Sequence, residues 1–225
     1  EIVNDVLGGM PVAVTFCPLC NTALVFERRL DGRTLDFGTT GRLRHSDLVM
    51  YDRQTESWWQ QLSGEAIVGT FTGRRLRLLD APLMSWGAAR EAYPGAAVLS
   101  RETGFDRPYG RNPYARYDSR SSPFAQFFRA AADTRLPALE RVAAVEADGA
   151  SVAFAFAALR ARLVVNERVG SLPVVVWWAA GTASAMDDES VAAGRDVGAT
   201  VVFDRRLDGR PLTFALGGGA MHDRE

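Results

Sequence analysis

The sequence predicts a β-rich α+β fold made of two related units that contain β-hairpins and together form one globular body. Three observations predict it: apolar runs of strand length, Asp-Gly pairs between such runs, and a stretch of sequence that returns later in the chain. With 225 residues, of which 47% are hydrophobic and 24% charged, the chain is long enough for one large or two small domains.

The first predicted elements are a buried strand and a hairpin. Residues 12–16 form a short apolar run with β-branched side chains, which predicts a buried strand. Residues 24–37 predict a hairpin about Asp31-Gly32, because this pair tolerates the positive φ angles of a type I′ turn. Asp148-Gly149 and Asp208-Gly209 predict the same turn further along the chain.

Further strands and three helices complete the predicted elements. Residues 48–51 and 58–62 predict strands around a turn at 52–56, and residues 66–69 predict another strand. Helices are predicted at 86–93 with Ser85 as N-cap, at 123–132 with Phe124, Phe127, Phe128 and Ala131 on one face, and at 157–162. Residues 103–120 lack periodicity and predict a long ordered loop.

One stretch of the sequence occurs twice. Residues 4–14 (NDVLGGMPVAV) are similar to residues 166–176 (NERVGSLPVVV), and residues 25–33 (VFERRLDGR) are similar to 202–210 (VFDRRLDGR). Such internal similarity indicates a duplicated structural unit.

The duplication predicts how the chain is divided. We expect a first unit at 1–135, with the C-x-x-C motif, helical additions and a Tyr/Arg-rich loop, and a second, degenerate unit at 136–225. The second unit stops where the first continues, so we expect it to be truncated at its C-terminus. The chain is therefore expected to be a fragment of a longer two-repeat protein, without its export signal.

Composition excludes several classes of function. All 26 Lys and Arg residues are Arg, which excludes Schiff-base chemistry on a lysine and the phosphate-binding lysine of a P-loop. A net charge of −1 gives no electrostatic footprint for nucleic acid. No apolar run reaches the roughly 20 residues of a membrane-spanning helix, so no transmembrane segment is expected.

The chemistry is expected at a C-x-x-C motif, Cys17-Pro18-Leu19-Cys20, directly after the first predicted strand. Two cysteines at this spacing can bring their sulfur atoms within disulfide or metal-ligand distance. If Pro18 starts a helical turn, Cys17 lies at the N-terminus, where a thiolate is favoured. On this basis Cys17 is predicted to be the attacking thiolate and Cys20 the resolving cysteine, although the reverse assignment stays open.

The duplication supports a function for the two cysteines. Alignment of the two copies places Ala179 opposite Cys17 and Thr182 opposite Cys20, so the turn does not need sulfur in order to fold. His45 falls in or beside six residues that only the first copy has, within 42–47. We predict catalytic roles for the two cysteines and name His45, Asp47, Arg53 and Glu56 as possible supporting residues.

The best prediction is therefore a thiol–disulfide redox protein without a cofactor, acting on a thiol or disulfide partner or a small molecule. One alternative is a copper or zinc protein that uses Cys17, Cys20 and either His45 or Met50 as ligands. Another is a non-catalytic structural or interaction domain in which the pair is a small clip. Too few cysteines are present for a four-cysteine zinc site, and Asn21 replaces the histidine of a c-type haem motif.

Two longer motifs carry a family resemblance. The stretches VTFCPLCNT at 14–22 and LVMYDRQTES at 48–57 resemble the bacterial family known as domain of unknown function 3179. Some of its members carry selenocysteine in the motif that matches Cys17 and Cys20, which implies redox chemistry. The resemblance also implies export, hence a periplasmic or other extracytoplasmic location, but the family commonly has Asn where this chain has His45.

Overall fold

The computed structural model describes residues 1–128, 131 and 133–224, and in it the chain is β-rich and forms several small antiparallel sheets. This confirms the predicted β-rich class. The structure divides into a first unit, Glu1–Ala81 with Tyr117–Asp133, and a second unit, Pro82–Arg116 with Thr134–Glu225. None of the helices in the described residues is long and apolar enough to cross a membrane.

The described part of the first unit consists mainly of strands. They are β1 (Ile2–Leu7), β2 (Met10–Cys17), β3 (Thr22–Glu27), β4 (Arg29–Leu30), β5 (Arg33–Thr34), β6 (Phe37–Arg44), β7 (Asp47–Asp52), β8 (Trp58–Gln60), β9 (Glu65–Val68) and β10 (Leu78–Leu79). A 3₁₀ turn follows at Tyr117–Ser119. The strands form sheets in the orders β1-β2-β3-β10 and β6-β7-β8-β9, with β4 and β5 as a separate hairpin.

Strand β2 positions the C-x-x-C motif. Its apolar side chains are largely buried, and it pairs with β1 on one side and β3 on the other. The pairing with β3 ends at Cys17 opposite Thr22, so residues 18–21 form the tight connection between the two strands. The motif therefore lies at the end of a paired central strand, a rigid place for two sulfur atoms.

A buried arginine joins the connections of the first sheet. The Arg28 guanidinium donates from Nε to the Val12 carbonyl at 3.0 Å, from Nη1 to the Leu35 carbonyl at 2.7 Å and from Nη2 to the Asp5 carbonyl at 3.1 Å. It also forms an ion pair with Asp36. Several donors in a planar fork are specific to arginine, and a lysine could not make this set.

The second sheet has an aromatic core. The Trp59 side chain is fully buried, and its ring centroid lies 5.8 Å from that of Phe37 and 5.8 Å from that of Phe71. Its indole Nε1 donates to the buried Asp52 carboxylate at 2.9 Å. Thr55 donates to the same carboxylate, so the turn at 52–56 is a satisfied polar network above an apolar core.

The second unit mixes two short helices with strands. Its elements are α1 (Trp86–Ala92), β11 (Val142–Ala147), β12 (Ala150–Ala155), α2 (Phe156–Arg162), β13 (Val164–Val169), β14 (Leu172–Ala179), β15 (Ala199–Asp204), β16 (Arg206–Leu207), β17 (Arg210–Pro211), β18 (Phe214–Gly217) and β19 (Ala220–Asp223). The sheets are β11-β12, β13-β14-β15, β16-β17 and β18-β19. Trp178, Val176 and Leu159 form its buried core.

The same long-range hydrogen bonds occur in both units. In the first, the Asn4 side chain donates to the Phe37 carbonyl and accepts from the Phe37 N–H, each at 2.8 Å. In the second, the Asn166 side chain makes the same two bonds to Phe214, also at 2.8 Å. Each asparagine thus ties an edge strand to a hairpin further along the chain.

Most of the elements predicted from the sequence are present. The Asp-Gly hairpin turns have positive φ angles at both residues, for example 50° at Asp31 and 75° at Gly32. The Ser85 hydroxyl accepts from the Ala88 N–H, and helices occur at the first and third predicted positions.

The predicted helix at 123–132 is wrong. In its described part, the Phe127 and Phe128 N–H groups both donate to the Phe124 carbonyl, which makes a single turn. The Phe127 carbonyl accepts instead from the Ser46 N–H at 2.8 Å, a bond across the unit that ends the helical pattern. Residues 129, 130 and 132 lie outside the described residues.

We predict that Asn4→Ala destabilises the first unit by about 1–3 kcal/mol, since two backbone groups of Phe37 lose their partner. Chemical denaturation followed by circular dichroism measures the change. Asp5→Ala is the matched control, because the exposed Asp5 carboxylate bonds, within the described part of the chain, only to the Val6 N–H. Equal midpoints for the two variants would contradict the prediction.

Candidate functional site

The C-x-x-C motif forms a tight turn and not the start of a helix. The Asn21 N–H donates to the Pro18 carbonyl at 3.1 Å, and Asn21 has a φ of 49°. Helix dipoles therefore do not act on Cys17, and the stabilisation expected from Pro18 as a helix start is absent. The electrostatics of the site come from individual neighbouring groups.

Both cysteines are free thiols, but their exposure differs. Cys17 is 1% exposed, whereas Cys20 is only partly buried. The Cys17 Sγ lies 3.7 Å from the Ser46 carbonyl oxygen. Of the two residues, Cys20 is therefore the more accessible to an outside molecule.

A buried carboxylate lies beside the two sulfur atoms. The Cys20 thiol donates to Asp47 Oδ1 at 3.1 Å, and Asp47 Oδ2 accepts from the Leu62 N–H at 2.9 Å. The ligand atoms of Cys17, Cys20 and Asp47 all lie within 4.8 Å of one another. Asp47, which the sequence named as a possible supporting residue, is thus part of the site.

The environment separates the acidities of the two thiols. The neighbouring Cys20 side chain is the main cause that lowers the pKa of Cys17, and the backbone N–H groups of Cys20 and Leu48 add to this effect, while burial and the Asp47 charge oppose it. The Cys17 side chain is the main cause that raises the pKa of Cys20 far above its ordinary value, and burial and the negative charges of Cys17 and Asp47 raise it further. Cys17 is therefore the favoured thiolate, and Cys20 keeps its proton.

The hairpin turn between β6 and β7 lies against Cys17. Its two turn residues, His45 and Ser46, have φ angles of 54° and 66°, as a type I′ turn requires. Ser46 is buried, and its hydroxyl has no hydrogen-bond partner among the described residues. Glycine, asparagine, aspartate and histidine are the residues most often found at positive φ, so His45 suits this turn, whereas the backbone does not favour Ser46.

His45 points to a different place from the sulfur atoms. Its ring makes an edge contact with Phe128, at 6.4 Å between centroids, and lines a cavity of about 310 Å³ with Leu43, Gln126 and Phe127. Among the described His, Cys, Asp and Glu side chains, the group of potential ligands does not include His45. The positive φ gives an adequate structural reason for the residue type at this position.

Arg53 and Glu56 belong to the turn at 52–56. The Arg53 guanidinium donates to the Tyr51 hydroxyl at 3.2 Å and lies 5.7 Å from its ring centroid. The Glu56 N–H donates to the Asp52 carbonyl. No contact among the described residues joins either side chain to the cysteines. Met50 is buried on β7, where strand alternation sets it on the face opposite to Asp47.

Two further residues of the site were not predicted. Gln61 is fully buried, and its Nε2 donates to Thr15 Oγ1 at 2.9 Å and to the Thr22 carbonyl at 3.2 Å. The Thr22 hydroxyl in turn donates to the Cys20 carbonyl at 2.9 Å. Gln61 thus bonds to β2 and to the start of β3, on either side of the sulfur turn (residues 18–21). The signal for it was a polar residue within the strand predicted at 58–62.

Tyr117 is the second such residue. It is 5% exposed, its ring centroid lies 5.1 Å from that of Phe124, and its hydroxyl has no partner among the described residues. Burial is the main cause that raises its pKa; the Arg120 charge opposes the rise, and the charges of Cys17 and Cys20 contribute to it.

A comparison with family models gives one match over almost the entire chain. The model described as Protein of unknown function (DUF3179) matches residues 1–222, which include every residue of the site. The family resemblance of the two sequence motifs is thereby confirmed. Comparisons with curated proteins and with solved structures give no match.

We predict that Asp47→Asn makes the first thiolate form at lower pH, because the carboxylate charge raises the pKa of both thiols. The asparagine oxygen can still accept from the Leu62 N–H, so the fold is expected to survive. Ultraviolet thiolate absorbance measured across a pH titration reports the midpoint. Asp31→Asn, in an exposed hairpin turn, is the control; a midpoint that does not fall below that of this control would contradict the prediction.

Proposed function

The chain belongs to the DUF3179 family, and we propose that this member is a thiol–disulfide redox protein whose reactive groups are Cys17 and Cys20. The observation that carries the proposal is the pairing of a buried free cysteine with a partly buried one next to a buried carboxylate. Two sulfur atoms this close can form a disulfide with a small movement of the turn.

The two sulfur atoms have different roles in this reaction because they differ in exposure and in acidity. In the disulfide form, a thiolate of the partner attacks the Cys20 sulfur, which is the accessible one, and forms a mixed disulfide with it. The S–S bond breaks and Cys17 leaves as a thiolate, which the N–H groups of Cys20 and Leu48 stabilise. A thiol that is more acidic is the better leaving group.

A second partner thiol then completes the exchange. It attacks the partner sulfur of the mixed disulfide, and Cys20 is released and takes a proton. In total, one protein disulfide and two partner thiols give the protein dithiol and one partner disulfide, with two electrons transferred to the protein. The reverse reaction oxidises the pair again.

We infer in addition that the two units are copies of one template. The bounds of β1, β2 and β3 correspond to those of β13, β14 and β15, and each unit has the same asparagine bonds between its first strand and its later hairpin. Arg28 and Arg205 both donate to a carbonyl seven residues ahead, Leu35 and Leu212.

The features of the thiol site belong to the first copy alone. Besides the cysteines, its β6–β7 hairpin is six residues longer than the β18–β19 hairpin. The additional residues include Ser46 and Asp47, which approach Cys17 and Cys20. The two differences between the copies, the cysteines and the longer hairpin, thus lie in contact with each other, which supports a function at this place. An extracytoplasmic location in a bacterium is part of the proposal, since an oxidisable pair suits that compartment.

The disulfide form of the wild-type chain tests the proposal. With reduced glutathione as probe, we expect the mixed disulfide to form on Cys20 at least about tenfold more often than on the buried Cys17. Mass spectrometry of peptides from the acid-quenched reaction measures both adducts. Denatured samples, in which exposure is equal, are the control.

Two results would contradict this proposal. Faster adduct formation on Cys17 would reverse the roles of the two cysteines. If wild-type protein forms no Cys17–Cys20 disulfide in any glutathione buffer, the redox function itself is wrong.

A metal site is the second candidate, because three potential ligand atoms lie within 4.8 Å of one another. Two thiolates and a carboxylate suit zinc, and the two thiolates alone suit Cu(I). We expect a metal protein to purify with one zinc or copper per chain and to lose it in both Cys17→Ser and Asp47→Ala. Elemental analysis decides this; metal-free protein that also fails to bind added zinc or Cu(I) would exclude the candidate.

A further inference from the structure

A fully buried glutamine follows strand β8. The amide nitrogen of Gln61, Nε2, donates to Thr15 Oγ1 at 2.9 Å and to the Thr22 carbonyl at 3.2 Å. The amide oxygen, Oε1, has no hydrogen-bond partner among the described residues. One half of this buried amide is therefore satisfied, and the other half is not.

The amide of Gln61 adds little to the stability of the fold. A hydrogen bond contributes about 0.5–1.5 kcal/mol net, whereas a buried acceptor without a donor costs about 1–3 kcal/mol. Two bonds made and one acceptor left unpaired come close to cancelling, so an apolar side chain of similar volume would serve the fold about as well. A role in the thiol site is the better explanation for a glutamine here.

The hydrogen bonds of Gln61 lead to Cys20 through Thr22. The Thr22 carbonyl accepts from the Gln61 amide, and the Thr22 hydroxyl donates to the Cys20 carbonyl at 2.9 Å. Thr22 is also the residue that pairs with Cys17 where β2 and β3 end their pairing. Gln61 therefore holds a residue that bonds to one cysteine and lies opposite the other.

The same short piece of chain also fixes the carboxylate beside the thiol. The Gln61 N–H donates to the Leu48 carbonyl at 3.0 Å, and the Leu62 N–H donates to Asp47 Oδ2 at 2.9 Å. The other oxygen of Asp47 accepts from the Cys20 thiol at 3.1 Å. Two consecutive residues thus hold both groups of that bond, the thiol through Thr22 and the carboxylate directly.

Both threonines of this network are replaced in the corresponding strands of the second unit. Strands β14 and β15 repeat the pairing of β2 with β3, and Trp177 and Ala199 occupy the positions of Thr15 and Thr22. Neither residue has a hydroxyl group. If the two units are copies, as inferred above, the hydroxyls that connect Gln61 to the sulfur turn differ between the copies together with the cysteines.

We propose that Gln61 is a positioning residue of the redox pair, which holds Cys20 against Asp47 through Thr22 and so favours the dithiol form over the disulfide. This inference rests on the redox function proposed above. It adds to that function the group that sets the equilibrium between the two forms of the pair.

The direction of the effect follows from the geometry of the turn. Both cysteines are free, and a disulfide needs its sulfur atoms about 2.05 Å apart, so oxidation must move the sulfur turn. Cys17 belongs to the paired strand β2, so the movement falls on Cys20, whose carbonyl the Thr22 hydroxyl holds. Oxidation also removes the thiol hydrogen that Asp47 accepts. Weaker positioning of Cys20 therefore makes the disulfide easier to form.

The test measures the equilibrium between the full chain and glutathione. One protein dithiol and one glutathione disulfide give one protein disulfide and two glutathione molecules, and mass spectrometry after alkylation of free thiols measures the oxidised fraction. We expect Gln61→Met to shift the equilibrium constant roughly tenfold towards the protein disulfide, which corresponds to about 30 mV. Gln60→Met is the matched control, because Gln60 is also buried but its side chain bonds to Arg44.

Variants of Thr22 separate positioning from packing. Thr22→Val keeps the shape of the side chain and removes the hydroxyl that bonds to Cys20, so we expect a shift in the same direction as in Gln61→Met. Thr22→Ser retains a hydroxyl, and we expect a smaller shift than in Thr22→Val. Because Gln61 acts through Thr22, the double variant of Gln61→Met and Thr22→Val is expected to shift no further than the larger single variant.

Chemical denaturation of the reduced chains checks that the fold is kept. We expect Gln61→Met to unfold at nearly the same denaturant concentration as wild type, because the lost bonds and the removed unpaired oxygen offset each other. If this variant does not fold, Thr22→Val and Thr22→Ser decide the question, since Thr22 is only partly buried.

Every other outcome counts against a stated part of the proposal. If wild type forms the disulfide while Gln61→Met and Thr22→Val match Gln60→Met, the positioning role is wrong and the redox function stands. A shift towards the dithiol in either variant would also overturn the positioning role. Additive shifts in the double variant would show that Gln61 does not act through Thr22. If wild type forms no disulfide in any glutathione buffer, the redox function is wrong, and this inference with it.

Discussion

The buried Asp47 carboxylate is the group on which the thiol site depends. It is 2% exposed, and a buried charge is tolerated only when hydrogen-bond donors satisfy it. Here one oxygen accepts from the Leu62 N–H and the other from the Cys20 thiol, so the charge joins β7, the chain after β8 and the sulfur turn. The same charge adds to the rise in the pKa of Cys20, whose main cause is the Cys17 side chain.

If the two units are copies, as we infer, residues 180–183 of the second unit correspond to the sulfur turn but have no cysteine. A longer connection leads from these residues to β15. In that connection, Asp196 accepts from the N–H groups of Gly181, Thr182 and Gly198 at 2.8–3.1 Å. The Gly181 N–H is the main cause that lowers the pKa of Asp196, with the other two N–H groups adding to it. A fixed carboxylate thus closes this turn, whereas the first unit leaves two thiols available.

Local signals in the sequence predicted most of the secondary structure. The Asp-Gly pairs predicted the type I′ turns, because this turn type depends on the φ angles of those two residues themselves. A short apolar run predicted the strand before Cys17. The helix at 123–132 was wrong because a hydrogen bond from Ser46, distant in sequence, overrides the local periodicity. The start of a helix at Pro18 failed in the same way, because the pairing of β2 with β3 demands a tight turn.

The site was predicted only in part, for the same physical reason. Two cysteines at a fixed spacing are visible in any sequence, and Asp47 was named as a possible supporting residue. No local pattern shows that the hairpin returns to the sulfur atoms, or that Gln61 bonds to the strands on either side of them. His45, which was also named as a possible supporting residue, occupies a position whose backbone angle accounts for it.

The short spacing between Cys17 and Cys20 also separates redox state from folding. A cross-link between residues only three apart removes little conformational entropy from the unfolded chain, so oxidation of this pair adds little to stability through loop closure. Any remaining difference in stability between the reduced form and the disulfide form comes from native contacts that favour the thiolate and the thiol over the disulfide. The midpoint potential of the folded chain, compared with that of the unfolded chain, therefore measures the strength of those contacts.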